Sequence, residues 1–170
     1  MATGDIKIHK SPYSTIPTLE WQTEANTTAI LAGEPVKLKV DGSPYAIPCA
    51  DADLTVGTDS AFLGIAATAS THTASADGVV SVYLPLPGII WKCAVTTAAN
   101  FDTTTEINAL VGDKVTFDLV SSTYTIDEND GNADASALFI VGGDATDTSK
   151  PIAYFTIRHD ATFLSGGYTV

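Results

Sequence analysis

The sequence predicts an all-β, mainly antiparallel protein, folded as a single β-sandwich or partly closed β-barrel with one short helix and an extended N-terminal arm. Threonine recurs from Thr3 to Thr169, and its branched side chain favours extended backbone over helix. Short runs of alternating apolar and polar residues follow one another, with turn residues about every ten positions. This spacing is typical of a sandwich or barrel and not of alternating strands and helices.

Composition and charge exclude some classes of partner. The chain has 170 residues, a length that suits one domain, and a formal net charge of −12 with only eight Lys and Arg. Binding to a phosphate backbone needs clustered basic residues, so we expect no nucleic acid partner and no anionic membrane partner. Residues 1–10 lack an apolar signal region, and no stretch approaches the roughly 18 apolar residues of a membrane helix. We therefore expect the protein to be made and kept in a cytosol.

The N-terminal residues differ from the rest of the chain. Residues 1–31 lack sustained alternation, and we interpret them as an extended arm that precedes a β-rich domain at residues 32–170. Such a segment either wraps the domain or reaches a neighbouring molecule. We favour the neighbour, and we predict that deleting residues 1–30 leaves a folded domain with weakened assembly. The candidate anchors for a partner are six isolated apolar residues: Ile6, Ile8, Tyr13, Ile16, Leu19 and Trp21.

Regular alternation begins after residue 32. Val36, Leu38 and Val40 fall on one face of the first strand, as a half-buried strand requires. Trp91 and Cys93 share one face of a later strand. Eight or nine short strands are predicted, at residues 36–40, 45–50, 62–68, 79–84, 89–95, 114–120, 124–126, 137–141 and 152–158.

One helix of about two turns is predicted between the strands. The run at residues 103–106 fits a capping box, in which a threonine and a glutamate cap the first turn reciprocally. Ile107, Leu110 and Val111 then follow at helical spacing, and Gly112 can close the C-terminal end.

Residues suited to nucleophilic chemistry are few. The chain has three histidines, His9, His72 and His159, and His72 lies in a small-residue loop without a Gly-x-Ser-x-Gly elbow. We interpret His72 as a solvated loop side chain. Cys49 and Cys93 lie in apolar runs, where we interpret them as buried free thiols, with a disulfide as the open alternative. We expect that the protein is not an enzyme.

Two acidic stretches match known site patterns only in part. Asp51 and Asp53 are the closest carboxylate pair, and their place between two strands indicates turn chemistry. Residues 127–132 begin like a calcium loop, but the glycine comes one position early and Leu138 stands where a bidentate glutamate belongs. An irregular calcium site there or at residues 142–147 is the open alternative. The sequence therefore predicts no cofactor and no regular metal site.

Several short motifs stand in the central region of the chain: Ala32-Gly33-Glu34-Pro35-Val36, Cys49-Ala50-Asp51-Ala52-Asp53, Phe62-Leu63-Gly64-Ile65-Ala66 and Ser75-Ala76-Asp77-Gly78-Val79-Val80-Ser81-Val82. Together they resemble the head-decoration, or capsid cement, proteins of tailed bacteriophages. In that family an early Ala-Gly-x-x-Val strand and a Phe-x-Gly-Ile-Ala strand belong to a compact β-fold. The resemblance covers about residues 30–85, with weaker similarity at residues 155–158.

The resemblance implies a structural protein of the virion. A cement protein binds the outer surface of an assembled head and bridges neighbouring major capsid protein subunits, usually as a trimer or a dimer. The implied partners are therefore the major capsid protein and further copies of the chain, in a homotrimer or a dimer. The implied location is the outer capsid surface, after synthesis in the host cytoplasm. Such a role needs no active site.

Two other classes of function are alternatives. In the first, the chain is a carbohydrate- or host-surface-binding β-module of a phage tail or fibre, and an exposed Trp91 or Trp21 stacks on sugars. In the second, it is a carboxylate-based hydrolase, which requires two acidic side chains in one cleft. The positions of the Trp rings and of the carboxylates in the fold discriminate between these readings.

Overall fold

Strands dominate the part of the chain that the structure describes. A computed structural model describes residues 6–39, 42–50, 62–129 and 136–162. Within them lie eleven strands: β1 (Lys7–Lys10), β2 (Thr18–Thr23), β3 (Pro35–Leu38), β4 (Ala46–Pro48), β5 (Phe62–Ala66), β6 (Gly78–Tyr83), β7 (Ile90–Ala94), β8 (Lys114–Val120), β9 (Thr123–Asp127), β10 (Leu138–Asp144) and β11 (Ile152–Ile157). The same residues form one α-helix, α1 (Thr104–Leu110), and two 3₁₀ helices, at Ala98–Asn100 and His159–Ala161.

The strands form two antiparallel sheets. Among the described residues, the larger sheet has the order β1-β7-β11-β10-β8-β9 and the smaller one β2-β6-β5-β3-β4. Both sheets curl, because two single parallel bridges join strands that are not neighbours in the sheet order. Val95, just after β7, is bridged to Ile126 of β9, and Gln22 of β2 is bridged to Tyr45, just before β4. Neither sheet closes into a barrel within this part of the chain. The predicted all-β, mainly antiparallel, sandwich-like fold is confirmed.

The main core lies on the inner face of the larger sheet. Trp91, which is 1% exposed, and Cys93 point into it from β7, as the alternation predicted. Phe155 of β11 meets Phe117 of β8 edge to face, with 5.6 Å between the ring centroids. Burial of each large apolar side chain contributes about 1.5–3 kcal/mol. This face of the sheet therefore supplies a large part of the driving force for folding.

Strand β5 separates two cores, and both of its faces are buried. Phe62 and Ile65 belong to the main core. Leu63 and Ala66 belong to a second, smaller core inside the five-stranded sheet. A continuous apolar run of this length is typical of a strand buried on both sides. The motif at residues 62–66 therefore marks the place where the two sheets are joined by packing.

The predicted strands correspond to β3–β11, with boundaries that shift by a few residues. The two predicted hairpins are confirmed, since β3 pairs with β4 and β5 pairs with β6. Val40, the end of the first predicted strand, lies outside the described residues. Strands β1 and β2 were not predicted. Each lies at an edge of its sheet, and an edge strand with a solvated side needs no strict alternation of apolar residues.

Helix α1 begins and ends as predicted. The Thr103 hydroxyl accepts from the Glu106 amide at 3.2 Å, and the Glu106 carboxylate accepts from the Thr103 amide at 3.0 Å. These two bonds form the predicted capping box. Ile107 is buried in the main core, and Gly112 follows the helix at φ +94°. Within the described residues no helix is long and apolar enough to cross a membrane.

Glu34 is a buried carboxyl group at the start of β3. Its side chain is 2% exposed and accepts a hydrogen bond of 2.8 Å from the Leu31 amide. Burial raises the pKa of Glu34, and the Leu31 hydrogen bond offsets part of this effect. The folded state therefore binds a proton at Glu34 more tightly than the unfolded chain does.

The sign of this shift gives a testable result. A raised pKa means that stability falls as pH rises through the window between the unfolded pKa and the folded pKa. We expect Glu34→Gln, which keeps an acceptor for Leu31, to be more stable than the wild type near neutral pH. The difference should shrink below about pH 4, where the carboxyl is protonated in both states. Urea unfolding at both pH values measures it, with the exposed Glu20→Gln as control. A Glu34→Gln protein that is less stable at neutral pH would contradict the expectation.

Candidate partner-binding surfaces

The N-terminal segment, defined here as residues 6–23, wraps the domain. Its first part, β1, pairs with β7 of the larger sheet, and its last part, β2, pairs with β6 of the smaller sheet. Between them, the Tyr13 hydroxyl donates to the Pro87 carbonyl at 3.0 Å. Of the two alternatives, wrapping is the one that the structure shows. The expectation of an arm that leaves the domain is corrected for these residues, because their backbone pairs within the chain.

Four of the six predicted anchors pack against the chain itself. Ile6 is 3% exposed and belongs to the main core. Ile8 and Ile16 are partly buried against the same core, and Trp21 is partly buried against the second core. Their apolar character is therefore used largely for folding. Because Ile6 is buried, its side chain is not accessible to a partner.

Tyr13 and Leu19 remain exposed, at 40% and 44%. Tyr13 lies in the bend between β1 and β2, and Leu19 lies in the edge strand β2 opposite Val82. The backbone on which they stand is fixed by pairing to both sheets. They are two exposed apolar side chains on a preorganised part of the surface.

A second surface, which the sequence reasoning missed, lies on the outer face of the larger sheet. We call it the lysine face and define it by Lys7, His9 and Lys10 of β1, Lys92 of β7 and Tyr154 of β11. Lys7 is paired with Lys92, and Lys92 with Tyr154. Because Trp91 and Cys93 point into the core, alternation places Lys92 on the opposite, outer face.

Most of the chain's positively charged side chains lie on or beside the outer face of the larger sheet. Lys114 pairs with Phe139, and Arg158 lies 5.5 Å above the Phe139 ring. With the three lysines of the lysine face, five of the chain's eight Lys and Arg lie on or beside one sheet face. Arg158 is held by Asp160, with a shortest N–O distance of 2.6 Å. The side chain and amide of Thr146 lower the pKa of Asp144, and the charge of Lys92 adds to this effect.

The His9 and Tyr154 rings are stacked at the middle of the lysine face. Their centroids are 3.9 Å apart and their planes differ by 14°. The register of β1 shifts between Ile8 and Lys10, and a bulge of this kind re-aims a side chain. Here it carries His9 over β11. The lysine face therefore combines a fixed aromatic platform with three lysines on the neighbouring strands β1 and β7.

The pairing of Lys7 with Lys92 is electrostatically unfavourable in the isolated chain. Like charges directly opposite on neighbouring strands destabilise the sheet. Lys39, by contrast, is bound to Glu24 at 2.7 Å. The chain has 20 Asp and Glu residues, yet the cross-strand neighbour of Lys7 is another lysine, Lys92, and not a carboxylate.

The groups considered for catalysis or metal binding have structural contacts. His72 was interpreted from the sequence as a solvated side chain, but the structure shows it half-buried. Its Nε2 atom lies 3.2 Å from the Thr27 carbonyl oxygen. The Glu128 carboxylate is buried and accepts from the Asn100 amide group at 3.1 Å. Asp51, Asp53 and residues 130–132 lie outside the described residues. In the described ranges, no group of three or more His, Cys, Asp or Glu side chains is placed to hold a metal ion.

Both cysteines are buried thiols. Cys49 and Cys93 each belong to the main core. The Cys93 thiol donates to the Tyr124 carbonyl at 3.2 Å, and the Tyr124 hydroxyl donates to the Cys49 carbonyl. Of the two open alternatives, the structure has free thiols, and the bonds of Tyr124 to the Cys93 thiol and to the Cys49 carbonyl tie β7, β9 and the end of β4 together.

A shallow depression of about 660 Å³ lies between α1 and the end of β10. Asp102 and Asp144 line it, and Val111 and Val141 are exposed beside them. Partial burial and a hydrogen bond with Glu106 raise the pKa of Asp102. The hydrolase alternative required two acidic side chains in one cleft. The structure brings these two carboxylates to one open depression, but the pKa of Asp102 is raised by burial and Glu106, whereas that of Asp144 is lowered by Thr146.

These features define an all-β, sandwich-like protein with a wrapped N-terminal segment and a basic face on an acidic chain. Comparison with family models, curated proteins and solved structures finds no match for the chain.

Proposed function

We propose that the protein is a structural decoration protein, which binds the outer surface of an assembled phage head and bridges neighbouring major capsid protein subunits. The observation that carries this proposal is the exposure of Tyr13 and Leu19 on a segment pinned to both sheets. Large exposed apolar side chains on a fixed backbone lose little conformational entropy on docking, which favours binding. The motifs at residues 32–36 and 62–66 support the same function through their resemblance to capsid cement proteins.

The proposal includes self-association as a homotrimer or a dimer and a location on the virion surface. Each contact with the shell can then be modest, because copies that are linked to one another bind with a high effective concentration. The carbohydrate-binding alternative needs an exposed Trp ring. Trp91 is buried in the main core and Trp21 is partly buried against the second core, so we do not propose that alternative.

Sedimentation with undecorated heads from the same phage tests the proposal. We expect the wild type to co-sediment saturably and the double variant Tyr13→Ala with Leu19→Ala to bind about tenfold or more weakly, because exposed anchors of this kind carry much of an interface's free energy.

The matched control is Val120→Ala, since Val120 is as exposed as Leu19 but lies at the end of β8. It should bind like the wild type, and circular dichroism should show that all variants are folded. Wild-type protein that stays in the supernatant at every head concentration would overturn the proposal.

A further inference from the structure

We infer that the lysine face is a docking surface for an acidic protein surface. The identity of the partner as a coat subunit rests on the proposed function, whereas its acidic chemistry rests on the face itself.

Positive charge is scarce in this chain and most of it is on one side. Lys37 is buried and Lys39 is bound to Glu24. Lys7 and Lys10, on the edge strand β1, are exposed, and Lys92 lies beside them on β7. A net charge of −12 opposes the approach of an acidic partner at long range. At physiological ionic strength this repulsion is screened over about 8 Å, so the local charge of the face decides close contact.

Among the described residues, Lys7 and Lys10 of this face form no ion pair. Lys7 stands directly opposite Lys92, which is unfavourable until an anion approaches. The charge of Lys92 helps to lower the pKa of Asp144, but that carboxylate already accepts from the Thr146 amide at 2.8 Å. An external carboxylate between Lys7 and Lys92 would relieve the repulsion between them. The isolated chain thus holds an arrangement that a partner's acidic side chains complete.

The geometry of the face suits a protein surface. The stacked rings of His9 and Tyr154 give a flat contact with little rotamer entropy to lose, and the lysines of β1 and β7 lie beside it. Such an apolar centre with a polar rim is typical of protein interfaces. Duplex DNA carries a charge about every 1.7 Å of its axis and is bound through many clustered cations. Three lysines on a strongly acidic chain match the sparser carboxylates of a protein surface better.

The test is a ¹⁵N NMR titration of the full chain with a short poly-L-glutamate peptide at about 0.05 M and about 0.3 M salt. We expect shifts in the amides of β1, β7 and β11 at low salt and their loss at high salt. The double variant Lys7→Glu with Lys92→Glu should bind the peptide at least about tenfold more weakly. The conservative Lys92→Arg should retain binding. Lys150→Glu, which reverses the charge of one lysine in an exposed turn outside the lysine face, should leave it unchanged.

Shifts that are absent, or that fall on another surface, would overturn the inference. So would a duplex DNA oligomer that binds the lysine face more tightly than the acidic peptide. Head sedimentation separates this inference from the proposed function. If the wild type and the double lysine variant bind heads equally, the inference fails and the function stands. If the peptide maps to the lysine face but the wild type does not bind heads, the function fails and the inference stands.

Discussion

Replacing Gly64 by alanine is expected to destabilise the protein by about 3 kcal/mol or more, the sum of steric overlap and backbone strain. Gly64 lies in the middle of β5 at φ +142°, a conformation that residues with a side chain rarely adopt. A Cβ atom there would overlap the carbonyl oxygen of Tyr83 and crowd the side chain of Val82. Both obstacles belong to the paired strand β6, so relief requires the two strands to separate.

Urea unfolding of Gly64→Ala measures this effect, and Gly112→Ala is the matched control. Gly112 also has a positive φ, of +94°, but an added Cβ there meets no atom within 4 Å. The control should therefore lose only the backbone term, about 1–2 kcal/mol. Equal losses at the two positions would mean that β5 and β6 can move apart without cost, contrary to their place between two cores.

Deletion of residues 1–30 is expected to abolish cooperative unfolding, which reverses the expectation from sequence. The deletion removes β1 and β2, one edge strand of each sheet. It also removes Ile6 and Ile30, both buried in the cores. Burial of these two side chains alone contributes about 1.5–3 kcal/mol each, and the stability of a whole domain is only about 5–15 kcal/mol. The new edges, β7 and β6, would also be open to aggregation.

Thermal and urea unfolding, followed by circular dichroism, provide the measurement. A protein that lacks only residues 1–5 is the control, because its deletion ends before β1. It should unfold cooperatively. If the longer deletion shows a cooperative transition with the slope of the wild type, then residues 6–30 are a dispensable arm after all.

Local patterns in the sequence were sufficient for much of the fold. The alternation at residues 36–38 predicted β3, and the Thr103 to Glu106 capping box predicted the start of α1. These signals depend on neighbours in the chain, so they survive without tertiary context. The strands β1 and β2 carry only a brief signal of this kind, with one apolar residue in β1 and two in β2. Their sequences are KIHK and TLEWQT, and they become strands because distant parts of the chain, β7 and β6, offer hydrogen-bonding edges.

The candidate surfaces, too, were indicated by the sequence only in part. Apolar character marked Ile6, Tyr13 and Leu19 as a group in the sequence, but only packing separated the buried Ile6 from the exposed pair. The lysine face left no sequence signal at all. Lys7 and Lys92 lie far apart in the chain and become neighbours through the pairing of β1 with β7.

By itself, the sequence determined the all-β class, the hairpins, the helix and the acidic character of the chain, because side-chain periodicity and turn chemistry act over a few residues. The tertiary structure alone decided that the N-terminal segment is part of both sheets and that a basic face stands on an acidic protein. The physical reason is that strand pairing and burial join residues that are distant in the chain, and a local pattern does not specify which edge a strand will meet.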